Sequence, residues 1–234
     1  MEPGAFELSL SIGGAAGQGI ATPGNILARI FTRRGLHLYA YNAYQSIVRG
    51  GHIFLTIRVS DRKLYTHGDR LDVLVCLNQD TMDRHLGLMG PGSRAIFNSD
   101  TITPGTATTG VHLCPMPVAE LSDGSRNKVI QNTIALGMVT YLLGLDFQVL
   151  EEALTLQLQR KGQDTVDENV GAARAGFDHA AANYDRYPDP LPDASKPQAL
   201  WTGNEAFGMG AAAAGVKFYC AYPMSPSTGV LHWM

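Results

Sequence analysis

The sequence predicts an α/β protein: a Rossmann-like, mostly parallel sheet with helices on both faces over residues 1–184, then a Pro-rich linker (185–200), then the truncated start of a second α/β domain (201–234). Three observations carry this. The chain opens as strand, glycine loop and helix, with "FELSLSI" followed by "GGAAGQG" and "IATPGNILARIF". The run "LDVLVCL" (71–77) is nearly apolar throughout, as a central parallel strand covered on both faces must be. Beyond Ser125 the pattern changes to three helices with short breaks.

The elements follow in order. Phe6 to Ile12 reads as the first strand, and "ATPGNILARIFTRRG" as a helix with Ile26, Leu27 and Ile30 on one face. Further strands are expected at 36–41, 52–60, 71–77, 93–98 and 111–116. "RNKVIQNTIALGMVTYLLG" is apolar around most of its circumference, which predicts a buried helix. Asp146 is placed to cap "FQVLEEALTLQLQRK", with Phe147, Leu150, Leu154 and Leu158 on one face. Asp164 is expected to cap a third helix whose stripe of Val166, Val170, Ala173, Phe177, Ala180, Ala181 and Tyr184 docks it onto the sheet. "YDRYPDPLPDASKPQ" (184–198) carries four prolines and no periodicity, the signature of a linker. The remaining "GNEAFGMGAAAAGVKFYCAYPMSPSTGVLHWM" predicts a helix, a short strand and a loop. So short a segment cannot bury a core alone, so a longer chain or a partner is expected to complete it.

Composition narrows the function. A content of 45% hydrophobic residues in 234 supports a substantial core. A net charge of −3, from 18 basic and 21 acidic residues, gives no field for nucleic acid. The chain has no apolar stretch of the roughly 18 residues a membrane span needs and no signal-peptide pattern at its start, so a cytoplasmic protein is expected. Cys76, Cys114 and Cys220 are far apart and form no CxxC pair, which predicts reduced thiols and no metal or cluster site in this chain.

The glycine loop fails two phosphate motifs. A dinucleotide fold needs G-x-G-x-x-G and an acid about 20 residues on. Here Gly14, Gly17 and Gly19 give G-x-x-G-x-G, and the next strand region "GLHLYAYN" has no Asp or Glu. Gly19 and Gly24 have P-loop spacing, but Asn25 and Ile26 stand where Lys and Ser or Thr are required. Two readings stay open. Either the glycines and the helix N-terminus receive an anion, or Gly13 and Gly14 merely turn the chain while Gly17 and Gly19 let the helix pack closely. In "SIVRGGH", Arg49, Gly50 and Gly51 offer a guanidinium and exposed N–H groups, or a turn with a solvated Arg, and His52 reads as a proton carrier or a structural hydrogen-bonded histidine. There is no G-x-S-x-G and no cysteine in a nucleophile context. In "YPMSPST" (222–228) two prolines stiffen a loop carrying Ser225, Ser227 and Thr228, either for binding small polar groups or as a turn before a helix.

Together these stretches resemble the 2-oxoacid:ferredoxin oxidoreductases. "GGAAGQGIATPGNILA", "SIVRGGHIFLTIRVS", "RNKVIQNTIALG" and "RKGQDTVDENVGAARAGF" are similar to that family's gamma domain, over residues 6–184. "GNEAFGMGAAAAGVKFYCAYPMSPST" is similar to the start of its alpha domain, the pyrimidine-side half of the thiamine diphosphate site, whose loop reads Tyr-Pro-x-Thr-Pro-Ser. Ser225 occupies the Thr position, keeping the hydroxyl and losing a methyl. The resemblance implies a fused gamma–alpha subunit of an enzyme that oxidatively decarboxylates a 2-oxoacid, such as 2-oxoglutarate or pyruvate, to an acyl-CoA and passes electrons to ferredoxin. It implies that Tyr222, Ser225 and Ser227 lie near the thiazolium and substrate. It also implies that Gly14, Gly17, Gln18, Gly19, Arg49, Gly50 and Gly51 face coenzyme A or a neighbouring subunit. Thiamine diphosphate and Mg would be completed by further alpha residues and a beta subunit, which also holds the iron–sulfur cluster, so this chain alone is expected to be inactive. The competing expectations are a non-catalytic assembly module of that complex and a stand-alone nucleotide-binding regulator, which would require the missing ribose-binding acid.

Overall fold

Side-chain alternation sets the sheet. In β1 (Glu7–Ala15), Leu8, Leu10 and Ile12 alternate with Ser9, Ser11 and Gly13, and all six are buried because both faces of the strand are covered. The computed structural model describes residues 6–43, 51–106, 109–125, 127, 129–193, 195–224 and 227–234. The other strands are β2 (His37–Ala43), β3 (His52–Ser60), β4 (Leu71–Cys76), β5 (Met89–Asn98) and β6 (His112–Met116), in the order β2-β3-β1-β4-β5-β6. β1, β4, β5 and β6 pair parallel, while β3 runs antiparallel to both β1 and β2. The expected central strand is β4, buried at every residue. β5 begins at Met89, four residues before the expected Ser93, because "MGPG" forms strand despite its turn-like composition. The ladder shifts register between Leu71 and Val73 to accommodate it.

Helices cover the two faces unequally. α1 (Ala21–Arg33) packs beside β3, and Gly24 is where it comes closest, since a Cβ there would enter the Leu55 side chain. The opposite face carries α2 (Gln79–His85) and a short 3₁₀ turn (Leu86–Leu88) over Leu74, Cys76, Met82, Ala95 and Phe97. α3 (Val118–Leu121) is a single turn after β6. α4 (Ile130–Leu142) is buried at all positions but Gln131 and Tyr141, as its apolar circumference predicts. It lies against Ile12 and Val75 of the sheet through Ala135, Leu136 and Val139.

α5 (Phe147–Leu158) and α6 (Gln163–Asn183) complete this side. α6 was expected to dock on the sheet, but it docks mainly on α4, because a helix apolar all round needs cover on its outer side as well. The buried stripe of α6 is accordingly Val166, Asn169, Ala172, Ala173, Gly176 and Ala180, and the expected Ala181 is exposed. Neither expected cap works through its side chain. Asp146 is the N-cap of α5 without a capping hydrogen bond, and α6 starts from Gly162 (φ 102°), leaving Asp164 inside its first turn.

Residues 185–193 and 195–198 belong to the first compact unit (Met1–Gln198). Tyr187 donates its N–H to Leu142 O at 2.7 Å, Arg34 Nη2 donates to Pro192 O at 3.0 Å, and Gln198 N–H donates to Thr32 O at 2.8 Å. Buried Arg94 donates to the carbonyls of Gly92, Asp185 and Arg186. The second unit (Ala199–Met234) holds α7 (Gly203–Ala213), opened by a reciprocal Thr202–Glu205 capping box, and α8 (Thr228–Trp233), whose Trp233 lies on Gly208. The short strand expected between them does not form among the described residues. Residues 216–224 carry no regular structure, since a strand needs a neighbouring edge to satisfy its backbone.

The α4–α6 contact makes a test. A Cβ at Gly176 would enter the carbonyl of Ile134, and one at Gly137 the carbonyl of Ala173, and backbone cannot rotate aside as a side chain can. Gly176→Ala gains about 1 kcal/mol of helix propensity but overpacks by roughly 1–3 kcal/mol, more where only backbone can move. The expected outcome is a net loss of about 2 kcal/mol in denaturant unfolding. Gly171→Ala, on the same helix with open space around it, is expected to stabilise by about 1 kcal/mol. Equal effects of the two would contradict the packing described.

Candidate functional site

The parallel strands end together, and α1 and α2 leave the adjacent strands β1 and β4 on opposite faces of the sheet. In α/β sheets such a divergence marks the crevice position, outside the carboxyl ends of the strands, where ligands are held. The glycine loop forms its rim. Gly13 and Gly14 lie within β1, and the turn is made instead at Gly17 (φ 93°) and Gly19 (φ 75°). Close approach is the task of Gly13, where a Cβ would enter Thr81 of α2, and of Gly24. The reading of Gly13 and Gly14 as the turn, with Gly17 and Gly19 as packing residues, is therefore reversed.

Three contacts hold the loop. Gln18 turns inward, its Oε1 accepting the Ala15 N–H at 2.6 Å. Ala16 donates its N–H to Gly51 O at 2.9 Å, joining the loop to the residue before β3. Asn132 of α4 reaches across 114 residues to donate from Nδ2 to Gln18 O at 2.7 Å. Gly17 points away from all of this, with nothing within 4 Å of where its Cβ would stand. The N-terminus of α1 has fewer donors than its position suggests: Thr22 N–H donates to Gly19 O, Gly24 N–H to Ile20 O, and Pro23 has none.

Beside Gly51, His52 and His85 bring their Nε2 atoms to 2.8 Å, so that one ring donates and the other accepts. Phe54 packs against both rings, at 5.5 Å and 4.6 Å between centroids. His52 Nδ1 is buried without a hydrogen-bond partner and lies 3.7 Å from Asp80 Oδ2, too far for a hydrogen bond. Asp80 instead accepts from Arg84 Nε at 2.6 Å. His52 is thus the hydrogen-bonded histidine of the two alternatives, with a partner 33 residues away that no local spacing signals. Asp80, His85 and Asn132 are the residues that sequence reasoning missed, and each reaches the site by tertiary contact alone.

The remaining expected residues fall elsewhere. Arg49, Gly50 and Ser225 lie outside the described residues. Tyr222 is 83% exposed in the second unit, and Ser227, the N-cap of α8, donates its Oγ to Met224 O at 2.9 Å. Cys76 and Cys114 are sealed in the core, where burial pushes both thiols up, Cys114 to about 11, and so disfavours the thiolate a metal requires. Among the described residues no three His, Cys, Asp or Glu side chains are grouped to hold a metal, and no helix is long and apolar enough to cross a membrane.

The histidine pair predicts a pH response. Burial lowers the proton affinity of both rings, and His85, further depressed by His52 and Arg84, titrates at about 4 against an ordinary 6.5. Between these values the unfolded chain binds more protons than the folded one, so the pair's contribution is complete above pH 6.5 and is lost as pH falls toward 4. In denaturant titrations, subtracting the profile of His85→Gln from that of the parent should reveal a difference that shrinks as pH falls through this window. A pH-independent difference would contradict the burial of neutral rings.

The chain matches the pyruvate ferredoxin/flavodoxin oxidoreductase family over residues 9–179. It is 23% identical over 265 aligned positions to the alpha subunit of 2-oxoacid:ferredoxin oxidoreductase from Sulfolobus sp, covering 95% of this chain and 41% of that protein. It is 28% identical to ketoisovalerate oxidoreductase subunit VorA from Methanothermobacter thermautotrophicus, over 76% of this chain and 37% of the relative. The chain thus spans about two fifths of the length of these relatives. A solved 2-oxoglutarate:ferredoxin oxidoreductase from Magnetococcus marinus, with 2-oxoglutarate, coenzyme A and succinyl-CoA bound, superposes with a TM-score of 0.87 at 26% identity, over 97% of this chain and 40% of that one. The gamma subunit of a keto/oxoacid ferredoxin oxidoreductase from Geobacter sulfurreducens shares the fold, with a TM-score of 0.63 at 24% identity over 76% of this chain and 98% of that one. This chain belongs to the pyruvate ferredoxin/flavodoxin oxidoreductase family.

Proposed function

We propose that this chain is part of a coenzyme A-dependent 2-oxoacid:ferredoxin oxidoreductase, in which the carboxyl-end crevice of the first unit faces coenzyme A or an adjoining subunit. The observation that carries this reading is the state of the glycine loop: it is anchored on its inner side by Gln18, Gly51 and Asn132, while Gly17 leaves its outer side bare. A loop fixed before binding loses little entropy when a ligand arrives, and a glycine surface lets that ligand approach the backbone. Gly17 and Gly19 are the exposed residues of this surface and Gly14, Gln18 and Gly51 support it from beneath, with Arg49, next to Gly50 in the sequence, as the cationic neighbour that a phosphate or carboxylate would meet.

The second unit is assigned to the thiamine diphosphate side of the enzyme. When bound, that cofactor supplies the electron sink for decarboxylation. The exposed Tyr222 phenol and the Ser227 hydroxyl support this assignment, because polar groups displayed on a proline-stiffened segment suit a cofactor or substrate held between chains. Tyr222, Ser225 and Ser227 orient substrate beside the thiazolium, with Ser225 donating a hydrogen bond to it. A beta subunit completes the diphosphate and Mg site and holds the iron–sulfur cluster, and ferredoxin accepts the electrons. The raised thiols of Cys76 and Cys114 agree with a cluster carried by another chain.

Two measurements test the reading. Coenzyme A titrated calorimetrically into the chain should bind saturably, and Gly17→Val should abolish binding while Gly92→Val does not. Gly92 also has a positive φ (86°) and open space, so it carries the same backbone strain away from the crevice. Equal losses in both variants would assign the effect to strain, and no binding by the parent chain would favour the assembly-module reading. In the complete enzyme, Ser225→Ala should lower kcat/KM about tenfold, the loss of one hydrogen bond worth about 1.4 kcal/mol. Unchanged kinetics would remove the assigned role.

A further inference from the structure

The contact between His52 and His85 differs from the other links in the first unit, because a nitrogen-to-nitrogen hydrogen bond holds a single proton. Both residues are only 7% exposed, and their Nε2 atoms stand 2.8 Å apart. The two neutral rings must therefore be different tautomers, one donating from Nε2 and the other accepting there. Asp80 decides between them. Its Oδ2 lies 3.7 Å from the buried, unpartnered His52 Nδ1. A carboxylate at that distance attracts an N–H and repels a lone pair, which assigns the proton of His52 to Nδ1 and leaves its Nε2 to accept from His85.

The pair sits at the root of the glycine loop. His52 is opposite Ala15 in the β1–β3 ladder, and Phe54, packed on both rings, is opposite Gly13. Gly51, the residue before His52, accepts the Ala16 N–H, while the Ala15 N–H is held by Gln18. Among the described residues, the bond to His85 is the only side-chain hydrogen bond that ties this entry of β3 to α2.

Proton counting gives the pair two states. One added proton goes to Nδ1 of His85 and leaves a single proton on the Nε2 axis. A second has no place except on that axis, where two N–H groups then oppose each other. Among the described residues, Asp80 and Arg84 of α2 are the charged groups that act on the pair. β1 presents Gly13 and Ala15 there, Cys76 of β4 is a thiol that burial keeps neutral, and His67 stands beyond Tyr41 and Phe54. Two imidazolium rings repel, and Asp80 retains His52, so His85 is the ring that leaves.

We propose that His52 and His85 form a proton-operated latch on the glycine loop, closed while one proton lies on their Nε2 axis and opened by a second. Closed, the latch holds the entry of β3 against α2, and through Gly51 it holds Ala16 and the turn at Gly17. Open, it frees Gly51 from α2, and the turn relies on Gln18 and Asn132. His85 is thus a positioning residue. Its effect on the loop stands on this geometry, whereas its effect on a ligand rests on the proposed coenzyme A reading of the crevice.

The test is amide hydrogen exchange on the chain from pH 7 to pH 4, corrected for intrinsic rates, in the parent, His85→Gln and His85→Leu. Gln offers an N–H to His52 and takes up no proton, so it keeps the latch closed, and Leu removes it. In the parent, exchange at residues 15–17 should rise about tenfold relative to α4 as pH falls toward about 4. His85→Gln should stay flat, and His85→Leu should exchange faster already at pH 7. Met82→Ala, which empties the core beside the same helix, should lower the thermal midpoint and leave the pH response of the loop intact. The same pH response in parent and His85→Gln, or a loop in His85→Leu that exchanges like the parent's at pH 7, would overturn the proposal. Coenzyme A titrated at pH 7 reads the ligand: His85→Leu should bind about tenfold more weakly than His85→Gln. Equal binding by these two variants would remove the latch from ligand binding. Absence of binding by the parent would count against the coenzyme A reading alone, and the latch would then stand or fall on the exchange rates.

Discussion

The buried helix α4 is the constraint on which the first unit depends. A helix apolar on every side cannot face water anywhere, so it must be covered by the sheet on one side and by other helices on the other. Gly137 and Gly176 allow α6 to approach at backbone distance, which seals the outer side. The polar positions that α4 does carry are then confined to specific tasks. Thr133 is bonded to Asn169 of α6, and Asn132 is bonded to the glycine loop. The same helix thus completes the core and fixes the rim of the crevice, coupling packing to the candidate site.

The crevice itself is a product of topology. Because β3 runs against its neighbours, Gly51 and His52 come to the same end of the sheet as the ends of β1 and β4. Stretches separated by some 30 residues in sequence, the glycine loop and the Gly51–His52 entry to β3, become hydrogen-bonded neighbours through Ala16 and Gly51. The His52–His85 pair fastens that entry to α2 on the opposite face. Loop, strand and helix are locked to one another, which leaves the bare side of Gly17 as the part of this rim open to a ligand.

Most of the first unit was legible because its elements are periodic. The run at 52–60 matches β3 residue for residue, the apolar "LDVLVCL" is the buried β4, and the all-round hydrophobicity of α4 foretold its burial. What was not legible depends on contacts between distant residues. The stripe on α6 was visible, but its partner was misjudged, since periodicity states which side is buried and not against what. Glycine roles were exchanged for the same reason: position in a loop says nothing of φ, and Gly13 is required by Thr81 of α2, 68 residues away. The link of Asn132 to Gln18 and the pairing of His85 with His52 had no sequence signal at all. The family resemblance drew attention to the glycine loop and to the entry of β3, and the geometry shows how the two are joined through Ala16 and Gly51.

The measurement that most directly tests the central claim, that the carboxyl-end crevice of the first unit faces coenzyme A in the assembled enzyme, is hydrogen–deuterium exchange on the complete complex with and without coenzyme A. The account predicts slowed exchange at residues 13–20 and 51–56 on binding, with the α4–α6 contact unchanged. Protection confined to other parts of the complex, with the glycine loop exchanging identically in both states, would contradict it.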